Sequence, residues 1–528
     1  MSRIHYTPRS RFKFLLLAVR NQEPERFSVI VIVTSLTVNG ASTPMKSEYD
    51  IIIAGGGIAG LVTAASAAKH AKQNLRILVI DRNSRQEMGK KTANGWVCGD
   101  AVSKNSLDFL ETHVGVHYGE PEVEKEVHGV VAFSPDHTSK AMFDGEGYVL
   151  NRRLLPKRQL TDAEKLGIEF TFDASAEALI AKEGFVTGVK CRSSKDNQTF
   201  EKTARLVIDA TGSASRLRTG LPIKSYIEKE IDKENDMEST GRYILSFEVG
   251  KEDKTFFDPN YCIIHLDQKI APGGYAWVFP KGQNKVNIGL GVQRRLLENR
   301  NRLFGRHDTL QSLIDDYVKS NPVIKNWKLA EGPEDEGNTK GNWQVPVRRQ
   351  NDCLVANGYM IVGDAAWMPR PIDAGGIGPA IYASTIAGSV AAGAIESNDV
   401  SEHGLWKFNS EYVRTYGHRM ASFEILRRFL QTLSNDDLNY GMKRFLGQDD
   451  VESITRREHP EFRRVSFSPS KIIWALPRLA LARGLRYTAT KSRKLIQQYT
   501  NYPESPEGFS EWHDRFIVEL KEAYARLS

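Results

Sequence analysis

The feature that most constrains this chain is a glycine turn, Gly55-Gly56-Gly57-Ile58-Ala59-Gly60, placed directly after the apolar run Asp50-Ile51-Ile52-Ile53-Ala54 and leading into Leu61-Val62-Thr63-Ala64-Ala65. A buried strand that ends in G-x-G-x-x-G and passes into a helix offers backbone N–H groups and the positive end of the helix dipole to a pyrophosphate. Gly57 allows the close approach, and Gly60 allows helix and strand to pack tightly. The next apolar run, Arg76-Ile77-Leu78-Val79-Ile80, ends at Asp81, about 20 residues past the last glycine, where a carboxylate accepts the adenosine ribose hydroxyls. The fold class this predicts is α/β and Rossmann-like.

Two downstream segments distinguish FAD from NAD. Tyr359-Met360-Ile361-Val362 reads as a buried strand closed by Gly363-Asp364, and Gly375-Gly376-Ile377-Gly378 opens an Ala-rich helix through Ala391. Between them and the glycine turn, Arg205-Leu206-Val207-Ile208-Asp209-Ala210-Thr211-Gly212 forms another apolar strand with an Asp/Gly end, followed by Ser213-Ala214-Ser215-Arg216. In this order the three segments resemble the FAD-binding domain of p-hydroxybenzoate hydroxylase-type enzymes. That resemblance implies FAD, held by Gly55, Gly57, Gly60, Asp81, Gly363, Asp364, Gly375, Gly376 and Ile377. It also implies that Arg152 and Gln159, in Asn151 to Leu160, belong to a flavin-contacting helix. The FAD-binding domain is then discontinuous, at 46–221 and 346–395, around an inserted antiparallel sheet at 222–345 that covers the flavin's reacting face. Residues 396–528 form a helical C-terminal region.

The insert opens with a charged stretch, Glu228 to Glu238, expected at the surface. It continues in strand-like runs, 242–249, 261–266, 275–280 and 285–291, separated by turn signals such as Pro272-Gly273-Gly274. The run Ala271 to Gly282 contains Tyr275-Ala276-Trp277-Val278-Phe279-Pro280 and leads to Asn287-Ile288-Gly289-Leu290-Gly291. On residues alone, Tyr275, Trp277 and Phe279 at period two also suit an ordinary packed sheet face. The string resembles the Tyr-x-Trp-x-Phe-Pro motif of the geranylgeranyl reductase family, which lines an isoprenoid cavity. Cys98-Gly99-Asp100, Glu228-Lys229-Glu230-Ile231-Asp232 and Val345-Pro346-Val347-Arg348-Arg349 resemble its archaeal, phospholipid-reducing branch. One departure is Trp367, where the family often has glycine; its bulk is expected to narrow the cavity near the flavin or shift substrate choice.

The resemblance implies saturation of isolated double bonds in a geranylgeranyl lipid by reduced FAD. Tyr275, Trp277 and Phe279 then form the substrate wall and Cys98 is the proton donor. Two other functions stay open at this level: an FAD-dependent aromatic hydroxylase, and a membrane-bound electron-transfer flavoprotein that reduces quinone. The chain has no second G-x-G-x-x-G for a nicotinamide cofactor, so the external electron donor is ferredoxin, a deazaflavin, or NADPH bound in passing.

The four cysteines, Cys98, Cys191, Cys262 and Cys353, have no C-x-x-C spacing, which signals neither a zinc site nor an iron–sulfur cluster, and no metal is expected. A net charge of +7 over 528 residues is modest. Part of it gathers between Lys471 and Gln498, where Arg478, Arg483, Arg486, Lys491, Arg493 and Lys494 mix with Trp474, Leu476, Leu479 and Leu481. That pattern suits the headgroup region of an anionic membrane, and equally a docked helix with a solvated basic face. No nucleic-acid recognition module accompanies the charge. The expected location is cytoplasmic, peripheral on the membrane face. Residues 1–44 read as an extension or a mis-assigned start, with Met45 five residues before the first strand.

Overall fold

The structure, a computed structural model, describes residues 47–90, 98–282, 284–445 and 476–527. Met45, the segment before it, and Lys471 to Trp474 of the basic stretch lie outside the described residues.

Five parallel strands form the nucleotide sheet, in the order Tyr359–Ile361, Thr199–Asp209, Tyr49–Ala54, Ile77–Ile80, Glu169–Thr171. The central strands are apolar on both faces, and Ile51, Ile52 and Ile53 are fully buried, as parallel strands covered by helices require. An antiparallel hairpin, Ala174–Lys182 with Phe185–Ser193, extends from the first half of the Thr199–Asp209 strand. Because all five strands run one way, Gly55, Asp81, Asp209 and Gly363 come out at the same edge, the carboxyl edge where ligands of such sheets bind. Helices Ile58–His70 and Ile377–Glu396 pack against each other, with Ser66 Oγ donating to the Thr385 carbonyl at 2.6 Å. Among the described residues the second of these is the one helix long and apolar enough to cross a bilayer, yet 78% of that apolar stretch is buried as core.

A second sheet of nine strands stands beside the first. It is antiparallel except where Cys262–His265 runs parallel to the end of Val123–Phe133. The sheet is not confined to 222–345, since Ala101–Ser103, Val123–Phe133 and Lys140–Leu150 join its edge. These strands precede the segment that the sequence marks as the insert. Their alternation is broken by bulges and by exposed charged positions, which blurs the period-two signal. Strand Ala276–Lys281 turns Ala276 and Val278 towards a core with Ile288, Leu290 and helix Leu310–Ser320. Its other face carries Trp277 and Phe279, grouped with Val127, Val149 and Cys262.

The C-terminal region is helical in its described parts, with long helices Met420–Gln431, Leu479–Thr500 and Phe509–Leu527. Trp406, Tyr499, Phe509, Trp512 and Phe516 fuse it to the core of the nucleotide sheet. Ion pairs that are buried or half-buried tie the join. Arg348 makes a bidentate contact with Glu228 at 2.9 and 3.0 Å, and Asp236 receives Arg427 at 2.8 Å and Arg428 at 2.6 Å. The stretch Glu228 to Glu238 is therefore only partly a surface feature: Glu230 and Glu234 face solvent, while Asp236 and Glu238 are buried. The expected solvated basic face is also divided. Lys491 is buried against Glu519 at 2.6 Å and Glu522 at 2.8 Å, whereas Leu476, Leu479, Arg483 and Arg486 are exposed.

Candidate active site

A cavity of about 1890 Å³ runs along the carboxyl edge of the nucleotide sheet and beneath the aromatic face of the second sheet. It is roughly twice the upper size of an ordinary small-ligand pocket, room for a cofactor and a long second occupant. Gly55, Gly57, Asp81, Cys98, Arg152, Tyr275, Trp277, Phe279, Gly363, Asp364, Gly375, Gly376 and Ile377 all line it. Of the residues singled out from the sequence, Gly60 sits behind the wall. A Cβ there would lie 1.9 Å from the Gly55 carbonyl oxygen, so glycine is what lets the helix close on the turn.

The nucleotide end fits a dinucleotide. Helices Ile58–His70 and Ile377–Glu396 both start at a glycine N-cap, Gly57 and Gly376, with no side chain bonded to their first N–H groups. Two uncapped helix starts facing one cavity are donor sets for anionic or polar ligand atoms. A Cβ at Gly57 would meet nothing within 4 Å, leaving the backbone open to the cavity. Asp81 is set by two backbone donors, Gly56 N at 2.6 Å and Asn83 N at 2.8 Å. Burial raises its pKa, and the two N–H groups oppose the rise. Asp364 lies in the tight turn Gly363–Ala366, and burial lifts its pKa to about 6 against the pull of the Arg152 guanidinium.

At the reacting end, Arg152 Nη1 lies 3.4 Å from Cys98 Sγ, and the backbone N–H of Asp100 donates to the same sulfur at 3.2 Å. Burial raises the thiol pKa, with Arg152 pulling the other way. Arg152 precedes the helix Leu155–Lys165, whereas Gln159 lies inside it, buried beside Tyr118 and away from the cavity. Asp100 takes a left-handed φ of 69°, which turns Cys98 and its own carboxylate into one site. Asn287 fixes that turn, donating to the Cys98 carbonyl at 3.0 Å and to Asp100 Oδ2 at 2.8 Å. Gly99 is pressed against the wall, because a Cβ there would come 2.8 Å from Phe279 Cε2. Tyr275 OH donates to the Asp373 carbonyl at 2.6 Å, joining the wall to the loop before Gly375.

Trp367 does not narrow the cavity. It is fully buried outside the lining, with Arg218 and Arg348 each 4.4 Å from its ring. Its φ of 59° is left-handed, a backbone that glycine adopts without strain.

Sequence reasoning missed the far arm. Leu433, Leu438, Met442, Phe445, Leu481 and Leu485 line it from the C-terminal helices, opposite Val130, Ala132, Phe143 and Ile264 of the second sheet. The apolar spacing of these helices was visible, but core-facing and cavity-facing leucines look alike in sequence.

Residues 236–328 match the geranylgeranyl reductase catalytic domain. A digeranylgeranylglycerophospholipid reductase of Sulfolobus acidocaldarius is 33% identical over 90% of this chain and 99% of its own. A second, from Methanococcoides burtonii, is 30% identical over 75% of this chain and 87% of its own. Among solved structures, a geranylgeranyl bacteriochlorophyll reductase-like protein of Thermoplasma acidophilum is 25% identical, with a TM-score of 0.63 over 83% of this chain and 99% of that one. The myxobacterial chondrochloren halogenase, an FAD-dependent enzyme, shares the fold at 15% identity and a TM-score of 0.58, covering 82% of this chain and 97% of that one. Similarity that runs through the nucleotide turn, the aromatic strand and the C-terminal helices alike makes this chain a member of the geranylgeranyl reductase family, in its digeranylgeranylglycerophospholipid reductase branch.

Proposed function

We propose that the protein is an FAD-dependent reductase that saturates isolated double bonds in the geranylgeranyl chains of archaeal-type membrane lipids. The observation that carries this is the continuity of one cavity from the two uncapped helix starts, past the wall of Trp277 and Phe279, into an apolar arm lined by Leu438, Met442 and Leu485. A long hydrocarbon fits such an arm; a small polar aromatic substrate leaves most of it unfilled.

Bound and reduced, FAD supplies the hydride. An unactivated trisubstituted alkene accepts hydride only as a proton is added to its other carbon, and positive character grows at the tertiary carbon. The protein's part is to bring the proton, steady the charge and keep water out. Trp277 and Phe279 line the cavity beside the reacting end, and an aromatic face contributes about 2 kcal/mol to a desolvated cation. Cys98 is the proton donor in this reading. Burial favours its neutral thiol, the form that has a proton to give. The electron donor is external, a ferredoxin, a deazaflavin or NADPH. The exposed Leu476, Leu479, Arg483 and Arg486 lie on or beside the helix whose Leu481 and Leu485 line the arm, which supports docking of this end on a membrane that holds the substrate.

The test is to reduce the purified protein chemically without oxygen and follow the mass of a geranylgeranyl phospholipid. Stepwise gains of two mass units in the isoprenoid chains are expected. A flavin-containing protein that leaves the lipid unchanged but reduces quinone, or hydroxylates an aromatic ring with oxygen and nicotinamide nucleotide, overturns the reading.

A further inference from the structure

Each double bond reduced in this way removes one proton from a cavity walled by hydrocarbon, and the structure contains a line of charged side chains leading out of it. Asp100 lines the cavity and is fully buried, with no hydrogen-bond partner for its Oδ1. Its Oδ2 faces Lys281 Nζ at 3.4 Å. Lys281 in turn meets Glu124 at 2.8 Å, Glu124 meets Lys285 at 2.8 Å, and Lys285 meets Asp335 at 3.0 Å and Glu334 at 3.7 Å. The Lys281 side chain is 1% exposed, whereas that of Glu334 is 42% exposed. The line therefore starts at the reacting end and finishes in water.

Burying Asp100, Lys281 and Asp335 and half-burying Glu124 and Lys285 side by side is costly, and hydrophobic residues of similar volume would hold the sheet at least as well. The arrangement is more than an isolated pair, since acid and base alternate at every step. Two further cations stand beside the inner end: Arg242 hydrogen-bonds Asn338 at 2.8 Å while its charge also interacts with Asp100, and Arg152 lies on Cys98.

We propose that Asp100, Lys281, Glu124, Lys285 and Asp335 form the route by which solvent protons reach the reduction cavity, with Asp100 as its inner end. This rests on the reductase reading above. For each alkene reduced, one C–H bond forms with hydride from reduced FAD and the other with a proton from the cavity donor. The route returns one proton from water to that donor, restoring its charge. No further oxidant or reductant is involved.

Glu124→Gln keeps the size of the central link and an acceptor oxygen for one of its two lysines, and removes its ability to relay a proton. Anaerobic turnover on a geranylgeranyl phospholipid is measured from pH 5.5 to 9, with and without imidazole as a small diffusible acid. The expected result is a kcat lowered roughly tenfold or more, less than the roughly 10²- to 10⁴-fold of losing the acid–base group itself, with KM unchanged. The loss deepens as pH rises, and imidazole restores the rate. Asp335→Asn, at the outer end, is expected to show the same pattern at smaller size and covers the case in which the central variant does not fold. A variant with the wild-type rate and pH profile overturns the route. So does a slowed variant whose profile keeps its shape and which imidazole does not restore. Wild-type protein that leaves the lipid unreduced overturns the reductase reading itself, and the route with it, before any variant is compared.

Discussion

The indole Nε1 of Trp277 donates to Oδ1 of Asn287 at 2.9 Å, and the same Asn287 uses its Nδ2 to hold both the Cys98 carbonyl and the Asp100 carboxylate. The substrate wall and the Cys98 turn are thus one hydrogen-bonded unit. Asn287 can be oriented only one way, because its oxygen faces a donor and its nitrogen faces two acceptors.

Trp277→Phe keeps an aromatic ring on the wall but leaves Asn287 Oδ1 buried without a donor. A group left unsatisfied in this way costs about 1 to 3 kcal/mol. The variant is expected to unfold at lower denaturant concentration by that amount. Its kcat should fall while FAD content stays at the wild-type level, since the nucleotide end is untouched. Equilibrium denaturation and the flavin-to-protein absorbance ratio check the two halves separately.

Gly60→Ala acts at the other end. The added carbon would sit 1.9 Å from the Gly55 carbonyl oxygen, which is backbone and cannot swing aside, with Ile53 Cγ2 a further neighbour at 3.3 Å. The helix must move away from the strand, taking the Gly57 helix start with it. The purified variant is expected to carry little or no flavin, with the visible flavin absorbance lost, because the third glycine of the turn is what allows close helix–strand packing. Full flavin content in Gly60→Ala would contradict the packing described.

His513 links the last helix to the nucleotide core. Burial opposes its charge, but Asp352, 3.5 Å away, and Glu228 favour it more than Arg349 disfavours it, so its pKa is raised. A histidine whose folded pKa exceeds the unfolded value of about 6.5 stabilises the fold fully below that value. The contribution is lost as pH rises through the folded pKa. Stability of the wild type should therefore decline between neutral and mildly alkaline pH. His513→Gln should remove that part of the decline, measured as urea midpoints at several pH values.

The nucleotide end was legible in sequence because its devices are local: a glycine turn, a strand end and a helix start are contiguous at Gly55 to Gly60 and again at Gly363 to Ile377. The Tyr275, Trp277, Phe279 face was legible as alternation, and the family resemblance assigned it a role. Asn287, Lys281 and Glu124 were not picked out as site residues. Asn287 is an isolated polar residue inside a strand, Lys281 ends one and Glu124 opens the charged run Glu124-Lys125-Glu126, and only register brings them together: Asn287 opposite Phe279, and Glu124 from a strand more than 150 residues earlier. Trp367 was misjudged for a related reason. Sequence shows its bulk but not its direction, and a left-handed backbone turns it away from the cavity into the Arg218–Arg348 pair.

That placement makes a distinct prediction. Trp367→Gly relieves the left-handed backbone, worth about 1 kcal/mol, and deletes a fully buried indole between two guanidinium groups, a loss of roughly 3 to 5 kcal/mol. The balance is destabilising by about 2 to 4 kcal/mol. Since Trp367 is outside the lining, the choice among isoprenoid chain lengths should not change. Competition between substrates of two chain lengths, alongside thermal denaturation, separates the two effects.

The far arm is open to a more functional test at Gly441. This residue lies in helix Asn435–Arg444, lines the cavity, and an added Cβ would lie 3.8 Å from Leu481 Cδ2, in ordinary contact. Gly441→Leu therefore fills the arm without a clash at the first carbon. It also replaces glycine by a better helix former, worth up to about 1 kcal/mol, so loss of fold does not cloud the result. A chain threaded past the reacting end must push its leading portion into the arm before its later double bonds reach Cys98. With the arm shortened, the early bonds are still reduced and the later ones are not. The expected outcome is a product mass that stops several hydrogens short of the wild-type product, with the first reduction step close to its normal rate. A fully reduced product from Gly441→Leu would show that the hydrocarbon takes another course through the cavity.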